Sequence, residues 1–335
     1  TWNVGLDLNL FNNRLYIGAE YYISNTNNLL VQKQLGEEYG LKYYWSNEGK
    51  LGNKGYNINF NARLIDNKSW KVNAGASVGH YKNEVKALGN DAFANSLFGG
   101  EVLTAIGQPL GVFYGYKTLG VFATSQEAEQ AHLAVVSETG AKTYFGAGDI
   151  HFAEVKQDGI IDENDRQVIG NPNPDVFGNF RFNLQYKAFS LAAVFTYSIG
   201  NDVYNALRAR LESGSSLNNQ TPNLLNRWTA DGQATNVPRA TYADPMGNAR
   251  FSDRWIENAS FLKLKQLMAS YTLPIKPKFI QGASVWVAVG NVFTLTKYLG
   301  SDPEFCYGNN LLYQGIDAGL VPSTRSYNIG IKLNL

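Results

Sequence analysis

From Trp2 to Leu10 every second residue is apolar: Trp2, Val4, Leu6, Leu8 and Leu10 alternate with Asn3, Gly5, Asp7 and Asn9. The same period returns in Leu15, Ile17, Ala19, Tyr21 and Ile23, then in Ile58, Phe60, Ala62 and Leu64, and in Trp70, Val72, Ala74, Ala76 and Val78. After a long interval it reappears in Phe180, Phe182, Leu184 and Tyr186, in Phe189, Leu191, Ala193, Phe195 and Tyr197, and finally in Tyr327, Ile329, Ile331, Leu333 and Leu335. Successive side chains of a strand point to opposite faces, so this pattern predicts strands with one apolar face. Val285, Val287 and Val289 add an eighth strand. Phe261 to Thr272 adds a ninth, in which the pattern does not settle which face is apolar. Runs of roughly nine to eleven residues are the length that crosses a bilayer on a tilt.

A half-buried sheet in a soluble sandwich also alternates. Three features favour a membrane barrel. The polar faces are rich in Asn, Gly and Ser, as suits a wet lumen. Aromatic residues gather at strand ends (Trp2, Trp70, Tyr186, Tyr327), as in an interfacial girdle. The connections alternate between short (11–13, 66–69, 187–188, 274–281) and long (about 25–54, 82–176, 200–260 and 293–323). Outer-membrane barrels pair short periplasmic turns with long extracellular loops. On that pattern the four long connections are extracellular and the C-terminus is periplasmic. The expected fold is therefore all-β: a transmembrane antiparallel β-barrel section. Single-chain barrels of this kind carry even numbers of strands, and an open edge is not tolerated in lipid. Nine strands thus predict a C-terminal portion, with further strands N-terminal to it.

Short helices are expected inside the long connections: Gln126 to Val135 with Ser125 as its cap, Asn205 to Glu212, and a turn over Pro222 to Trp228. Folded inserts of this length are usually functional.

Composition agrees with this outline. Of 335 residues 17% are charged, 44% hydrophobic and 13% aromatic, with a formal net charge of +1. That balance removes the electrostatic case for nucleic acid. A mean hydropathy of -0.26 suits a barrel in which only one strand face meets lipid. There is no run of about 18 apolar residues to form a transmembrane helix. The first residues lack the charged and apolar regions of a signal peptide. The lone Cys306 excludes a disulfide framework within the chain.

Few motifs carry chemistry. Gly75-Ala76-Ser77-Val78-Gly79 fits the spacing of a nucleophile elbow, but Ser77 lies within an alternating strand and no helix follows. His80, His132 and His151 have no metal-ligand spacing. Glu154 to Asp165 can be laid on a twelve-position calcium loop. Asp158 takes position five, Gly159 the turn at six, Ile161 the apolar position eight, and Asp162 and Asp165 positions nine and twelve. Glu154 replaces the usual Asp at position one, and Lys156 puts a cation where position three supplies oxygen. The expectation is a degenerate Ca2+ loop with Glu154, Asp158, Asp162 and Asp165 as candidate ligands. No paired acid and base or convincing nucleophile suggests an enzyme.

The flanks of that loop carry a family resemblance. Gly148-Asp149-Ile150, Asp158 to Arg166, and Val168 to Pro174 resemble the SusC/RagA family of TonB-dependent transporters. So do Gly107 to Gly111, Phe113 to Tyr116, Gly120 to Phe122, Gly200 to Asn205, Asn226 to Thr229 and Pro238 to Ala240. Ser260 to Lys265, Tyr271 to Pro274, Asn291 to Thr294 and Gly300 to Glu304 continue the series in the same order. The resemblance implies a plugged importer of roughly the 22-stranded class. It also implies uptake of glycan or peptide fragments in Bacteroidota, power from the TonB complex, and a SusD-like surface lipoprotein as lid. The family's plug and TonB box lie N-terminal to the region matched here. Two departures stand out: Lys156 in the acidic loop, and Leu335 where many outer-membrane barrels end in an aromatic residue. Tyr43, Tyr44, Trp45 and Tyr307 are candidate substrate contacts, since aromatic faces suit sugars and peptides. The rival expectations are a non-transporting binding or adhesive barrel and a soluble sandwich.

Overall fold

The computed structural model describes residues 1–34, 39–40, 43–89, 92–274, 282–305 and 311–334, without side chains at 32–34, 43 and 311. Among these, nine strands form a single antiparallel sheet in chain order. They are β1 (Trp2–Leu10), β2 (Leu15–Gln34), β3 (Tyr43–Asp66), β4 (Trp70–Ala87), β5 (Val176–Tyr186), β6 (Phe189–Ile199), β7 (Phe261–Leu273), β8 (Gly282–Thr296) and β9 (Ser326–Asn334). Every strand read from the alternation is present. β5 and β6 are 11 residues each, the length a tilted crossing needs.

The register lines up the apolar positions across neighbours. Ile17 faces Phe60, Phe60 faces Ala76, Ala76 faces Phe180, and Phe180 faces Phe195, so one face of the sheet is a continuous apolar band. That band lies open in the isolated chain: Ile329 is 76% exposed and Ile331 70%. An exposed apolar surface of this extent belongs against lipid. Aromatic pairs mark its limits. Trp70 packs on Tyr186 at 4.3 Å at the short-turn end, and Tyr56 on His80 at 5.3 Å toward the other. The opposite face carries Asn57, Asn59, Asn61, Asn73, Asn179, Arg181 and Asn183. There Asn179 donates to Ser77 Oγ at 2.7 Å and Arg181 to Asn61.

Several elements differ from the sequence reading. The span 25–54 is not a loop throughout: β2 runs to Gln34 and β3 begins at Tyr43, so the hairpin continues as a two-stranded ribbon past the apolar band. Register shifts between Thr26 and Val31, with Asn28 in the left-handed region (φ 58), interrupt the period of two there and conceal the strand. Likewise β4 extends to Ala87 and β8 to Thr296.

In β7 the apolar face changes parity. Leu262 and Leu264 face Tyr197 and Phe195, whereas Leu267, Ala269 and Tyr271 face Ala193, Leu191 and Phe189. A bulge at Lys265 supplies the extra residue, which is why the alternation alone left that face open.

The first helix, α1 (Ser125–Ala131), is shorter than expected. Thr124 caps it in place of Ser125, accepting from Glu127 N at 3.2 Å, and His132 closes it at φ 52. The β-branched pair Val135-Val136 continues as a short strand. The second, α2 (Ala206–Leu211), lies between Asn205 and Glu212 as read, and Pro222–Asn226 forms a 3-10 turn.

Candidate functional site

Sequential antiparallel order places the β2–β3, β4–β5, β6–β7 and β8–β9 connections at one end of the sheet. The last three are woven into one folded layer. Residues 93–170 supply a four-stranded sheet, from Phe93–Leu97 through Gly100–Thr104 and Val112–Tyr116 to Arg166–Gly170. A second small sheet is centred on Asp202–Asn205. That segment pairs antiparallel with Ile256–Asn258 and parallel with Ile316–Asp317, so it ties two connections together. Among the described residues, two larger apolar cores and a smaller one around Val203, Ala259 and Tyr298 hold the layer. Of the larger two, one gathers Phe122, Leu133, Phe145, Ile150, Phe152, Ile161 and Met246, and the other Val102, Phe113, Tyr204, Phe251, Trp255 and Ile316.

Two charged nodes fix these connections to each other and to the barrel. At the first, Asp149 is fully buried. It accepts from Arg239 Nε and Nη2, both at 2.8 Å, from Asn248 Nδ2 at 2.8 Å and from Gly146 N at 2.9 Å. Planar two-point pairing of this kind is the strong form of the arginine–carboxylate bond. Beside it Gly148 (φ 82) lies against the Trp228 indole, where an added Cβ would meet the ring at 2.5 Å. The indole N–H of Trp228 donates to Ala123 O at 3.0 Å.

At the second node, Lys263 of β7 is buried with its ammonium between Asp302 (2.8 Å) and Glu304 (2.8 Å), and Lys265 donates to Glu304 at 2.8 Å. Two residues apart on one strand, both lysines reach the same carboxylate. Burial alone would raise the pKa of both acids. For Asp302 that effect, the largest single one, is outweighed only by the Lys263 hydrogen bond acting together with donors from Glu304 and Ser323, which hold the acid below its ordinary value. Lys263 and Lys265 together lower Glu304 in the same way. Nearby, Tyr298 donates to Asp317 at 2.6 Å, and burial followed by that bond pushes the phenol well above its usual range.

The acidic loop does not assemble as a cation cage. Glu154 accepts from Gly159 N, and Asp158 pairs with Lys156 at 2.9 Å while accepting from Ile160 N. Asp162 caps the Glu163–Asp165 turn, and Asp165, fully buried, accepts from Val155 N, Lys156 N and Asp162 N. Carboxylates expected to share a metal are thus each committed to backbone donors or to a lysine. Among the described residues no group of three or more His, Cys, Asp or Glu is placed to hold a metal. The four residues fit a self-capped turn better than a Ca2+ loop, chiefly because Lys156 occupies the charge-neutralising role. Adding millimolar Ca2+ to the chelator-treated protein is accordingly expected to leave protease protection of residues 150–170 unchanged. Protection that rises with Ca2+ would contradict this assignment.

Beside that turn lies an open groove of about 750 Å³, lined by Tyr116, Ser137, Asp162, Asp244 and Arg250 among others. Arg250 donates to the carbonyls of Met246 and Gly247, both at 2.8 Å, and lies over the rings of Tyr116 and Phe152 at 4.8 Å each.

No family model matches the chain. Over 99% of its length, however, it is 31% identical to TonB-dependent receptor P3 of Formosa agariphila, spanning 33% of that relative. It is 25% identical to TonB-dependent receptor SusC of Bacteroides thetaiotaomicron, again over 99% of the chain and 31% of the relative. The solved RagAB peptide transporter superposes with a TM-score of 0.78 at 27% identity, over 99% of this chain and 34% of that one. The chain belongs to the SusC/RagA family of TonB-dependent receptors. It spans about a third of the length of the curated relatives it matches, and its strands are a section of an outer-membrane β-barrel.

Several family stretches named from the sequence meet in space. Gly148-Asp149 joins Trp228 and Arg239 at the first node, and Ser260–Lys265 joins Gly300–Glu304 at the second. Asn171 and Asp202 exchange bonds of 2.9 and 2.8 Å. The pairings Asp149–Arg239–Asn248 and Lys263–Asp302–Glu304 were missed in the sequence. Most of these residues lay inside the quoted stretches, but nothing local indicates which acid meets which base.

The aromatic candidates do not form one platform. Tyr44 and Trp45 are both exposed on the β3 ribbon, but as neighbours in a strand they point to opposite faces. The Tyr43 side chain and all of Tyr307 lie outside the described residues, as do Cys306 and Leu335. Ser77 sits inside β4, and the histidines are dispersed. His80 bonds Asp175 O, His132 ends α1, and His151 stacks on Phe122 at 4.4 Å.

Proposed function

We propose that this section supplies barrel wall and loop layer to a TonB-dependent importer of oligomeric nutrients, glycan or peptide fragments, in the outer membrane. The supporting observation is the match over nearly the whole chain to the RagAB peptide transporter, loop layer as well as strands. On this proposal the long connections are extracellular and meet a SusD-like lipoprotein lid. β9 then ends on the periplasmic side, and the TonB complex acts through parts of the protein beyond this section. The Asn-rich inner face offers amide donors and acceptors that suit hydroxyl groups and peptide bonds alike. The groove beside Arg250 is a candidate resting place for one unit of the oligomer. The sites' exposed aromatics, Tyr44 and Trp45, project from the ribbon at the same end.

The test is growth and uptake in a strain deleted for the intact gene, supplied with peptide and glycan oligomers in parallel. Loss of uptake of one class, restored by the gene, is the expected outcome and names the substrate. Unchanged uptake of every oligomer would sink the proposal, and lost surface attachment in that strain would favour an adhesive barrel.

A further inference from the structure

The apolar face of the sheet ends in a defined row. Tyr21, Tyr56 and His80 lie side by side across β2, β3 and β4. Two residues toward the loop end, on the same face, the next row reads Ile23, Lys54, Lys82. Lys54 and Lys82 are direct cross-strand partners, and both are exposed. The following row is Asn25, Gly52, Glu84. The absence of a side chain at Gly52 leaves room for Lys86, whose Cε would lie 2.8 Å from an added Cβ. Lys86 pairs with Glu84 at 3.1 Å. Among the described residues, Lys54 and Lys82 have no acidic partner. Together these side chains line an open groove of about 100 Å³.

Like charges directly opposite each other on a sheet repel, so the pair Lys54–Lys82 is unfavourable in isolation. The face on which it sits is the lipid face, one row beyond an aromatic girdle, at the depth where headgroups lie. A phosphate seated between the two ammoniums would turn the repulsion into two attractions. Ile23 in the same row, and the apolar band below, would take the upper part of an acyl chain. A free phosphate would gain the charges but not the apolar contact.

We propose that Lys54 and Lys82, with Lys86 beside them, form a docking site for the phosphate-bearing headgroup of a membrane lipid on the loop side of the bilayer. The site is on the outer wall, so it is independent of what passes through the lumen.

The experiment uses the full-length receptor, delipidated in detergent and titrated with diphosphoryl lipid A or its dephosphorylated form, with binding read by native mass spectrometry. The wild type should bind the phosphorylated lipid more tightly than the dephosphorylated one. The double substitution Lys54→Gln/Lys82→Gln should weaken that binding by about thirtyfold, on the usual contribution of a lysine near a charged lipid surface. Lys68→Gln, in the short turn at the other end, should leave it unchanged. Inorganic phosphate at matched concentration should not displace the lipid. Heat-modifiable migration reports folding. If the double variant fails to fold, each single substitution should weaken binding about fivefold. Equal binding by wild type and lysine variants, indifference to the phosphates, or displacement by free phosphate would each overturn the proposal.

Discussion

Replacing Lys263 with alanine is expected to free the segment 297–305 from the barrel wall, at a cost of about 3–5 kcal/mol to local stability. The ammonium is the shared donor for Asp302 and Glu304, and its removal leaves the buried Asp302 carboxylate without a cation while Glu304 keeps only Lys265. The fold of the barrel itself should persist, because β7 keeps its ladders to β6 and β8. Hydrogen exchange of the full-length receptor should show faster exchange over 297–305 and at Ser323, whose N–H bonds Asp302. The rest of β7 should stay protected.

The node also predicts a pH dependence. Both acids are held below their ordinary values of 3.8 and 4.5. A carboxylate whose folded pKa is depressed binds its proton less readily when folded. Its stabilisation is therefore complete above about pH 5 and is lost as the pH falls through the lowered folded value. Wild-type protection of 297–305 should then fall on acidification below about pH 4, while the alanine variant, already released, should change little there. Protection of the variant equal to wild type at neutral pH would refute the role given to Lys263.

The second large effect is expected at Asp149. Alanine there removes the acceptor for four donors at once and strands the Arg239 guanidinium and the Asn248 amide. About 1–3 kcal/mol should be lost from the loop layer, the cost of leaving the buried amide donors unsatisfied, because the Arg239 side chain is 39% exposed and solvent can take up its charge. Asparagine should cost less, since it retains an acceptor. Limited trypsin digestion is the simplest readout. Arg239 and Arg227 lie in the segment that Asp149 anchors, so cleavage there should accelerate while heat-modifiable migration of the barrel is unchanged. A variant as resistant as the wild type would show that the apolar core around Phe122 and Phe152 holds the layer without the ion pair.

The contrast between these nodes and the strands shows what was legible in the sequence. A membrane strand must keep one face apolar over its whole crossing, so β1, β5, β6 and β9 state themselves in the period of two. Where the chain leaves the bilayer that demand lapses: the β2–β3 ribbon continues past a polar, irregular stretch from Asn25 to Asn28 and resumes its pairing at Leu29, invisible to hydropathy. In β7 a single bulged residue, Lys265, reverses the parity and hides the apolar face. The loop layer is harder still, because its determinants are distant. Asp149 and Arg239 stand 90 positions apart and Lys263 and Asp302 39, and no local pattern joins them. The acidic loop shows how one spacing serves two roles. Its spacing suggested ligands, but a carboxylate's preference for nearby backbone N–H groups is as strong a reason for Asp at those positions.

One face of this sheet meets lipid and the other meets the aqueous lumen. Spin-labelling single cysteines from Phe180 to Leu184 in the full-length receptor, after Cys306→Ser, in a bilayer, distinguishes the two faces. Relaxation by oxygen, which concentrates in lipid, should dominate at 180, 182 and 184. Relaxation by a water-soluble nickel chelate should dominate at 181 and 183. Equal access of the nickel reagent to all five positions, or the opposite alternation, would contradict the account.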